Sequence, residues 1–355
     1  MRPSTYLKRF ESNPIIKPET GHSWESRQTF NPGVILLEDK LHILYRAIGD
    51  DGISRIGYAA SKEYFAIDER LDSPVYQHPV TSGTFTIYSY LSGGSFGGAE
   101  DPRIVRVDDE DVLYLTYTAC DAGLRMALTS IQIKDFLKKD WQWARPVFIS
   151  PPGQVHKNWV IFPEKIHGNY AILHSLNPEL MISYYGSLDV KPGNYLNSYI
   201  RSSTISNGSS WDSIIRGAGA PPVKTEKGWL LFYHAMTKND FGKYKVGAML
   251  LDLENPSHII CRSTYPVLEP SAVYEENGFK PGVVYLTGVA VRNGILLAYY
   301  GASDSYVCVA SCRLDEIVED LLQRETRKFP KQVITINRRQ NITGSWENVN
   351  KKIRR

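Results

Sequence analysis

The sequence has few cysteines, no long apolar run and no strong excess of charge of either sign. Its 355 residues include four cysteines, and no matching His or Cys spacing accompanies the one Cys-x3-Cys pair, Cys308 and Cys312. We therefore expect neither a disulfide framework nor a metal site. No apolar stretch approaches the roughly 18 to 20 residues that span a bilayer, and the first residues, MRPSTYLKRFESNP, contain no apolar signal core. The sequence predicts a cytoplasmic protein without a membrane partner.

Positive and negative side chains nearly balance, with 41 Lys and Arg against 38 Asp and Glu and a formal net charge of +3. This balance gives no reason to expect a nucleic-acid partner. Residues 328–355 are nevertheless basic, and we interpret them as a flexible, solvated tail rather than as a nucleic-acid-binding arm. The basic residues that lead to this interpretation are Arg338, Arg339, Lys351, Lys352, Arg354 and Arg355.

A short apolar, tyrosine-rich strand followed by a turn and a second alternating strand recurs five times along the chain. The first strands begin 58 to 71 residues apart, more than the roughly 40 to 50 residues of a minimal four-stranded propeller blade. The spacing therefore leaves room for long loops. The five predicted pairs are Leu41–Arg46 with Ile53–Ala60, Val112–Thr118 with Met126–Ile131, Tyr170–His174 with a weaker partner near Tyr199–Ile205, Trp229–His234 with Tyr244–Leu251, and Ile295–Tyr300 with Tyr306–Cys312.

This repetition predicts an all-β protein, a five-bladed β-propeller. Two stacked β-sandwiches of roughly 175 residues each are the alternative, but they would not require one similar hairpin to recur five times. Segment Leu314–Arg327 is the one predicted helix, with an apolar stripe that includes Leu322, and we expect it to pack on the outside. No low-complexity linker divides the chain, so residues 1–327 are predicted to form one catalytic domain.

In a propeller the inner strands surround one axis, so polar residues near their ends converge on a central pocket. Arg46, His174, His234 and Asp304 close or follow such strands, and Asp101 precedes the strand of the second repeat. In isolation, Asp101 in GGAEDPRI reads most simply as a turn aspartate that caps backbone amides. The functional alternative is a carboxyl group that acts as a general acid.

Nine ordered segments resemble glycoside hydrolase family 130, the β-mannoside phosphorylases and related mannosidases, from about Asn13 to Leu322. Any one of them is a weak signal, but their order along the chain makes the set specific. The resemblance implies a five-bladed propeller, which agrees with the repeat count. The segments are NPII, FNPGVI, LYRA, EDPRI, KNWVIFPEKI, GAGAPPVKTEKGWLLFYH, VGAMLLDLENP, LEPSAVYEENG and YYGASD.

The resemblance also implies roles for particular residues. Asp101 would be the proton donor of an inverting displacement, reaching the glycosidic oxygen through a hydroxyl of the mannose. Inorganic phosphate would be the co-substrate, a β-mannoside oligosaccharide the substrate and mannose 1-phosphate the product, with no metal or organic cofactor and a homo-oligomer as one option. The implied mannose-binding residues are Asn31, Arg46, Lys224 and Asp304, and the implied phosphate-binding residues are Lys157, Asn158 and His234.

The sequence departs from the family pattern at two positions. Ser175 stands where the phosphorylases usually carry an arginine after the residue matched by His174, and Gly282 stands where the family commonly has asparagine. Serine offers one hydrogen bond where arginine offers a charged fork, so phosphate affinity should fall unless another cation compensates. The compensating cations that we consider are Lys224, Lys165, His234 and His156.

Two other functions stay open at this point. A weakened phosphate site would suit an inverting β-mannosidase, which needs a carboxylate base to activate water. The candidate bases are Glu275, Glu276 and Glu179. A non-catalytic sugar-binding propeller is the third hypothesis, and the retained carboxyl group of Asp101 counts against it.

Overall fold

The computed structural model describes residues 7–81, 93–121, 123–198 and 210–323, and these residues form an all-β fold with three short helices. The helices are α1 (Ile133–Leu137), α2 (Val273–Glu276) and α3 (Leu314–Gln323). The strands are β1 (Lys8–Arg9), β2 (Gln28–Leu37), β3 (Lys40–Ile48), β4 (Ile53–Ser61), β5 (Glu69–Arg70), β6 (Gly97–Arg106), β7 (Val112–Cys120), β8 (Leu124–Gln132), β9 (Val147–Phe148), β10 (Val160–Ile161), β11 (Tyr170–Ser175), β12 (Met181–Tyr185), β13 (Ile214–Ala218), β14 (Val223–Thr225), β15 (Gly228–Met236), β16 (Lys245–Leu251), β17 (Ile259–Arg262), β18 (Val284–Arg292), β19 (Ile295–Ala302) and β20 (Tyr306–Arg313).

Four of the five predicted hairpins are confirmed as antiparallel pairs: β3 with β4, β7 with β8, β15 with β16, and β19 with β20. The third differs, because β11 pairs with β12 rather than with the weaker segment that we expected. Only residues 176–180 separate these two strands, so the nearer alternating segment can pair across a short loop. The expected segment, Tyr199–Ile205, lies outside the described residues.

The described strands form four sheets. One has the order β1-β20-β19-β18, so the first described strand completes the sheet built by the last three described strands. The second is β10-β11-β12, and the third is β13-β15-β16-β17 with β14 beside β15. The fourth runs β2-β3-β4-β6-β7-β8-β9, with β5 beside β4. Among the described residues, its two halves are joined by strand pairing only at a short parallel stretch, in which Ile53 and Ser54 of β4 face Gly97 and Gly98 of β6.

A β-bulge interrupts each of the strands β2, β6, β13 and β18, which we call the bulge strands. A bulge takes residues out of the ladder and redirects their side chains, and bulges are frequent beside active sites. β2 contacts both β6 and β18, and β6 contacts β18, so bulges from separate parts of the chain come together. The residues that the four bulges take out of register include Asn31, Asp101, Arg216 and Thr287.

Helix α3 packs against β16, β17 and β20 through a narrow apolar face. Ile317, Val318 and Leu321 are buried in the same hydrophobic cluster as residues of these strands. The prediction that Leu322 belongs to this face is wrong, because its side chain is 41% exposed at the edge of the helix. The predicted end of the helix, Arg327, lies outside the described residues.

The cysteines form no disulfide, and all four lie among the described residues. Burial raises the pKa of the Cys308 thiol well above its usual range and that of Cys312 to about 12. Both side chains therefore stay protonated at neutral pH. No helix in the described part of the chain is long and apolar enough to cross a membrane.

Candidate active site

Asp101 lies on the bulge of β6, in a left-handed backbone conformation with φ of 50°. Asn31 has the corresponding position in β2, with φ of 46°, and both residues precede a proline. Asp and Asn tolerate this conformation better than most side chains do. Nδ2 of Asn31 donates a hydrogen bond of 2.8 Å to Oδ1 of Asp101. Two bulges therefore place a carboxyl group and an amide side by side, both almost fully buried.

Two cations are shared between Asp101 and its neighbour Glu100. Nη1 of Arg46 lies 3.2 Å from Oδ1 of Asp101, and Nη2 of the same guanidinium lies 3.1 Å from Oε1 of Glu100. Nζ of Lys157 lies 2.9 Å from Oε2 of Glu100 and 3.7 Å from Oδ2 of Asp101. Nε of Arg46 also donates to Oγ of Ser54, 2.9 Å away. The result is a buried network of two carboxylates and two cations.

The charges around Asp101 keep its carboxyl group ionised. Burial alone would raise the pKa of its carboxyl group, but the positive charges of Lys157, Arg46 and Arg103 outweigh burial and hold the pKa well below its usual range. A general acid must carry a proton when it acts. Asp101 can therefore donate a proton only if a bound group offsets part of this positive charge.

From the sequence alone, Arg103 would most simply pair with an acidic neighbour such as Glu100. The structure shows that this interpretation is wrong, because the carboxylate of Glu100 is held by Arg46 and Lys157. The guanidinium of Arg103 instead donates from Nη1 to the backbone oxygen of Asp101 at 2.8 Å, and from Nε to the carbonyl of Gly219 at 2.7 Å. It thus fixes the backbone that presents Asp101.

A cavity opens beside this network, and residues of the third and fourth repeats line it. Polar residues that line it are His156, Lys157, Asn158, His174, Ser175 and Arg216. Its volume of about 40 Å³ is roughly three times the 10–15 Å³ that one water molecule needs. The cavity is therefore large enough for a small tetrahedral anion.

Hydrogen bonds hold both the oxygen and the nitrogen of the Asn158 side-chain amide beside this cavity. Its Oδ1 accepts hydrogen bonds from Nη2 of Arg103 at 3.0 Å and from the hydroxyl of Tyr285 at 2.8 Å. Its Nδ2 donates to the carbonyl of Arg216 at 3.2 Å. A Cβ atom at Gly217 would lie 2.9 Å from Nδ2 of Asn158, so the absence of a side chain there makes room for the amide. Asn158 therefore joins the Asp101 network to the cavity.

His174 brings a neutral imidazole to the same cavity. Burial and, secondarily, the neighbouring His156 lower its pKa to about 3. Its Nε2 lies 2.9 Å from Oγ of Ser183, whereas its Nδ1 is buried with no hydrogen-bonding partner among the described residues. An unsatisfied buried nitrogen is costly unless a ligand pairs with it. The ring thus offers one hydrogen bond to a bound group.

His234 lies behind this cavity rather than among the residues that line it. The side chain is fully buried, and its Nε2 donates to the carbonyl of Leu286 at 2.8 Å. Its ring stacks on that of Tyr285, with 3.6 Å between centroids. The contact that links His234 to the site therefore runs through Tyr285, whose hydroxyl reaches Asn158.

Asp304 lies close to Arg46, as predicted for residues that share a pocket. A Cβ atom at Gly93 would lie 3.2 Å from Nη1 of Arg46 and 3.3 Å from Oδ2 of Asp304, so Gly93 lies between the two. Nζ of Lys280 is 3.1 Å from Oδ2 of Asp304. Lys280 was not among the predicted site residues, because no motif identified it.

Lys224 is not brought to the Asp101 network. It lies on β14, with its side chain 49% exposed, and forms an ion pair with Glu164. Its ammonium group lies 5.8 Å from the centroid of the Trp229 ring. It lines a different cavity, which also contains Leu314 and Val318 of α3.

Two of the other positions singled out in the sequence also have structural explanations. Gly282 has φ of +78°, and glycine and asparagine are the residues that most readily adopt this conformation, which accounts for glycine where the family commonly has asparagine. Glu275 is fully buried, and its carboxylate accepts hydrogen bonds from Arg9 and Tyr300. The suggestion that Glu275 is a catalytic base is therefore wrong, since its oxygens are held in a structural network.

Comparison with known proteins agrees with this geometry. A family model described as beta-1,4-mannooligosaccharide phosphorylase matches residues 6–324. A 1,2-beta-oligomannan phosphorylase of Thermoanaerobacter sp. (strain X514) is 34% identical, over 88% of this chain and 98% of that protein. A beta-1,2-mannobiose phosphorylase of the same organism is 32% identical with the same coverage.

Solved structures give the same result. The beta-1,2-mannobiose phosphorylase from Listeria innocua, solved as a complex with beta-1,2-mannobiose, superposes with a TM-score of 0.67 at 25% identity. The match covers 89% of this chain and 99% of that one. A match of the family model to nearly the whole chain, together with relatives above 30% identity along their full length, establishes that the chain belongs to glycoside hydrolase family 130.

Proposed function

We propose that this protein is an inverting β-mannoside phosphorylase that cleaves β-1,2-linked manno-oligosaccharides with inorganic phosphate and releases mannose 1-phosphate. The observation that carries the proposal is the polar cavity whose lining includes Lys157, because Nζ of this lysine lies 3.7 Å from Oδ2 of Asp101. The β-1,2 linkage is supported by the names of the two relatives from Thermoanaerobacter.

In this proposal the mannose to be transferred binds against Asn31, Arg46 and Asp304, with Asp101 as the proton donor. The proximity of these four side chains supports a shared sugar subsite. A hydroxyl of the mannose passes the proton of Asp101 to the glycosidic oxygen, while a phosphate oxygen attacks the anomeric carbon from the opposite face. The bond to the leaving sugar breaks as the bond to phosphate forms, so the configuration inverts.

Bound phosphate would also help Asp101 to carry the proton that a general acid must donate. The positive charges of Lys157 and Arg46 keep the pKa of Asp101 low. A phosphate anion bound beside Lys157 brings negative charge that offsets these cations and raises the pKa of the acid. Phosphate is then both the nucleophile and the group that allows Asp101 to hold its proton. Water brings no such charge.

The alternative of an inverting β-mannosidase is favoured by one observation, Ser175 in the place of the usual arginine. Such an enzyme needs a carboxylate base, usually about 6.5–9.5 Å from the acid. Glu275 cannot supply it, because Arg9 and Tyr300 hold its carboxylate. Glu276 and Glu179 are the other candidate bases, but the relatives that the chain matches are named phosphorylases, so the phosphorylase is the better-supported function.

Product analysis separates these two functions. The purified protein is incubated with β-1,2-mannobiose, with and without millimolar phosphate, and the products are separated by anion-exchange chromatography. We expect mannose 1-phosphate and mannose in equal amounts with phosphate, and no cleavage without it. Free mannose at the same rate in both samples would refute the phosphorylase and identify a hydrolase. β-1,4-Mannobiose, run in parallel, tests the linkage.

Gly301 provides a second test, because it makes room for Asn31. A Cβ atom at Gly301 would lie 2.1 Å from Oδ1 of Asn31, so Gly301→Ala must displace the amide that donates to Asp101. A misplacement of this size lowers activity by about 10²-fold. We expect that loss in kcat/KM for phosphorolysis. Gly186→Ala is the matched control, since no atom lies within 4 Å of its Cβ position. Equal activity of the two variants would contradict a role for Asn31.

We further propose that residues 1–327 form one catalytic domain, a five-bladed propeller, and that residues 328–355 form a basic tail. The eight-stranded sheet counts as two blades in this reading, because only two residue pairs join its halves. The remaining three sheets supply the other blades, which gives five.

A further inference from the structure

The cavity near Asp101 is lined by an arginine that the sequence did not identify as a site residue. Arg216 lines it together with Lys157, Asn158 and Ser175. Four other residues were considered as substitutes for the arginine missing at position 175. Three of them do not line this cavity with Ser175: His234 lies behind it, Lys165 pairs with Glu110, and Lys224 lines a different cavity. The fourth, His156, lines it, but burial lowers the pKa of its imidazole to about 4, so the ring is neutral at pH 7. Arg216 is therefore the arginine that the fold brings to the cavity lined by Ser175.

Arg216 lies at a β-bulge of its strand, as the proposed site residues Asp101 and Asn31 do in their strands. Asp101 and Asn31 are taken out of register by the bulges of β6 and β2, and Arg216 is taken out of register by the bulge of β13, between Ile215 and Gly217. A bulge leaves its extra residue out of the ladder and redirects it. The same local device thus presents an acid, an amide and a guanidinium to one part of the molecule.

The surroundings of Arg216 suit an oxyanion. Its backbone carbonyl accepts the amide of Asn158, which fixes the strand against the cavity. His174 offers its buried Nδ1, which lacks a partner among the described residues, and Lys157 lines the same cavity. The cations of Arg216 and Lys157, with the imidazole of His174, therefore line a space large enough for a tetrahedral anion. Arginine binds such anions with two parallel N–H groups, which lysine and serine do not offer.

We propose that Arg216 binds the oxygens of inorganic phosphate and so takes the place of the arginine that family phosphorylases carry where this chain has Ser175. The inference rests on the proposed phosphorolysis and names a further residue of that site. With the guanidinium of Arg216 supplied from β13, the protein would bind phosphate even though β11 carries Ser175 in place of the usual arginine.

The test compares the wild type with Arg216→Gln, which keeps polarity and removes the charge. We expect the KM for phosphate to rise by about tenfold to a hundredfold, as for the loss of one charged hydrogen-bond pair, while the KM for β-1,2-mannobiose changes less than threefold. Arg313→Gln is the matched control, because this arginine is 56% exposed beside α3 and pairs with Asp315. It should leave both constants unchanged.

A rescue variant distinguishes phosphate binding from a structural role. Adding Ser175→Arg to Arg216→Gln restores an arginine at the other wall of the cavity, and we expect the KM for phosphate to return to within about threefold of the wild type. A merely misfolded Arg216→Gln protein would not recover. A KM for phosphate that stays within twofold of the wild type in Arg216→Gln would overturn the inference and leave phosphorolysis intact.

A binding titration with inorganic phosphate tests the role of Arg216 independently of whether the protein is a phosphorylase. Calorimetric titration of the resting protein with inorganic phosphate requires no turnover. If the wild type cleaves mannobiose without phosphate, the phosphorylase proposal fails, and the titration then decides about Arg216. Weaker phosphate binding by Arg216→Gln would still support the inference, whereas equal binding, or none by the wild type, would refute it.

Discussion

Asp101→Asn is expected to lower phosphorolysis of β-1,2-mannobiose by about 10²- to 10⁴-fold, the range that a general acid contributes. The amide has the shape of the carboxyl group but cannot supply the proton that the leaving oxygen needs. Its Oδ1 can still accept from Asn31 and Arg46, so the bulge of β6 should keep its conformation. The measurement is kcat/KM at saturating phosphate, together with circular dichroism to verify folding.

Asp240→Asn is the matched control for this prediction, because the Asp240 carboxylate is exposed and pairs only loosely with Lys243, 3.7 Å away. It should retain wild-type activity. An Asp101→Asn enzyme with more than a tenth of the wild-type kcat/KM would exclude Asp101 as the proton donor. The site would then have to be reassigned among the other carboxylates of the pocket, with Asp304 considered first.

Arg46→Met is expected to lower the free energy of unfolding by about 3–5 kcal/mol, because it leaves buried carboxylates with less compensating charge. Arg46 is 1% exposed and contacts both Glu100 and Asp101. Methionine fills part of the space of the arginine stem but supplies neither charge nor donors. Denaturant unfolding at neutral pH measures the change, and phosphorolysis should be lost in parallel.

Arg55→Met is the comparison for this effect. Arg55 pairs with Asp51 at 2.6 Å, but the carboxylate of Asp51 is 48% exposed, so the pair contributes only about 0–1 kcal/mol. Adding Glu100→Gln to Arg46→Met removes one of the stranded charges and should restore part of the lost stability. If Arg46→Met and Arg55→Met lower the free energy of unfolding equally, the buried network stabilises the fold no more than an exposed ion pair does.

Much of the fold was accessible from the sequence, since its signals are local. Alternating β-branched and aromatic residues between turn residues predict strands, and four hairpins follow directly from them. The family resemblance suggests Asn31 and Asp101 as site residues, and the structure places their side chains within hydrogen-bonding distance. The third hairpin was predicted with a weak partner, Tyr199–Ile205, which lies outside the described residues, and the strand that pairs with β11 is β12.

The chemistry of the site was less accessible, because it depends on contacts between distant parts of the chain. Glu100 reads as an ordinary neighbour of Asp101 until Arg46 and Lys157 are seen to bridge both carboxylates. Arg216 belongs to no charged motif, and only the bulge of β13 gives it a role. The register of a bulge depends on the partner strand, so a single segment carries no signal for it.

The pairing of β1 with β20 has a consequence for the order of folding. Lys8 faces Ser311 and Arg9 faces Ala310, so this contact closes a loop of about 300 residues, and closing so long a loop is entropically unfavourable until other contacts hold the ends together. During synthesis β1 leaves the ribosome long before its partner exists. We therefore expect the docking of β1, with Arg9 against Glu275, to be a late folding step that completes the sheet.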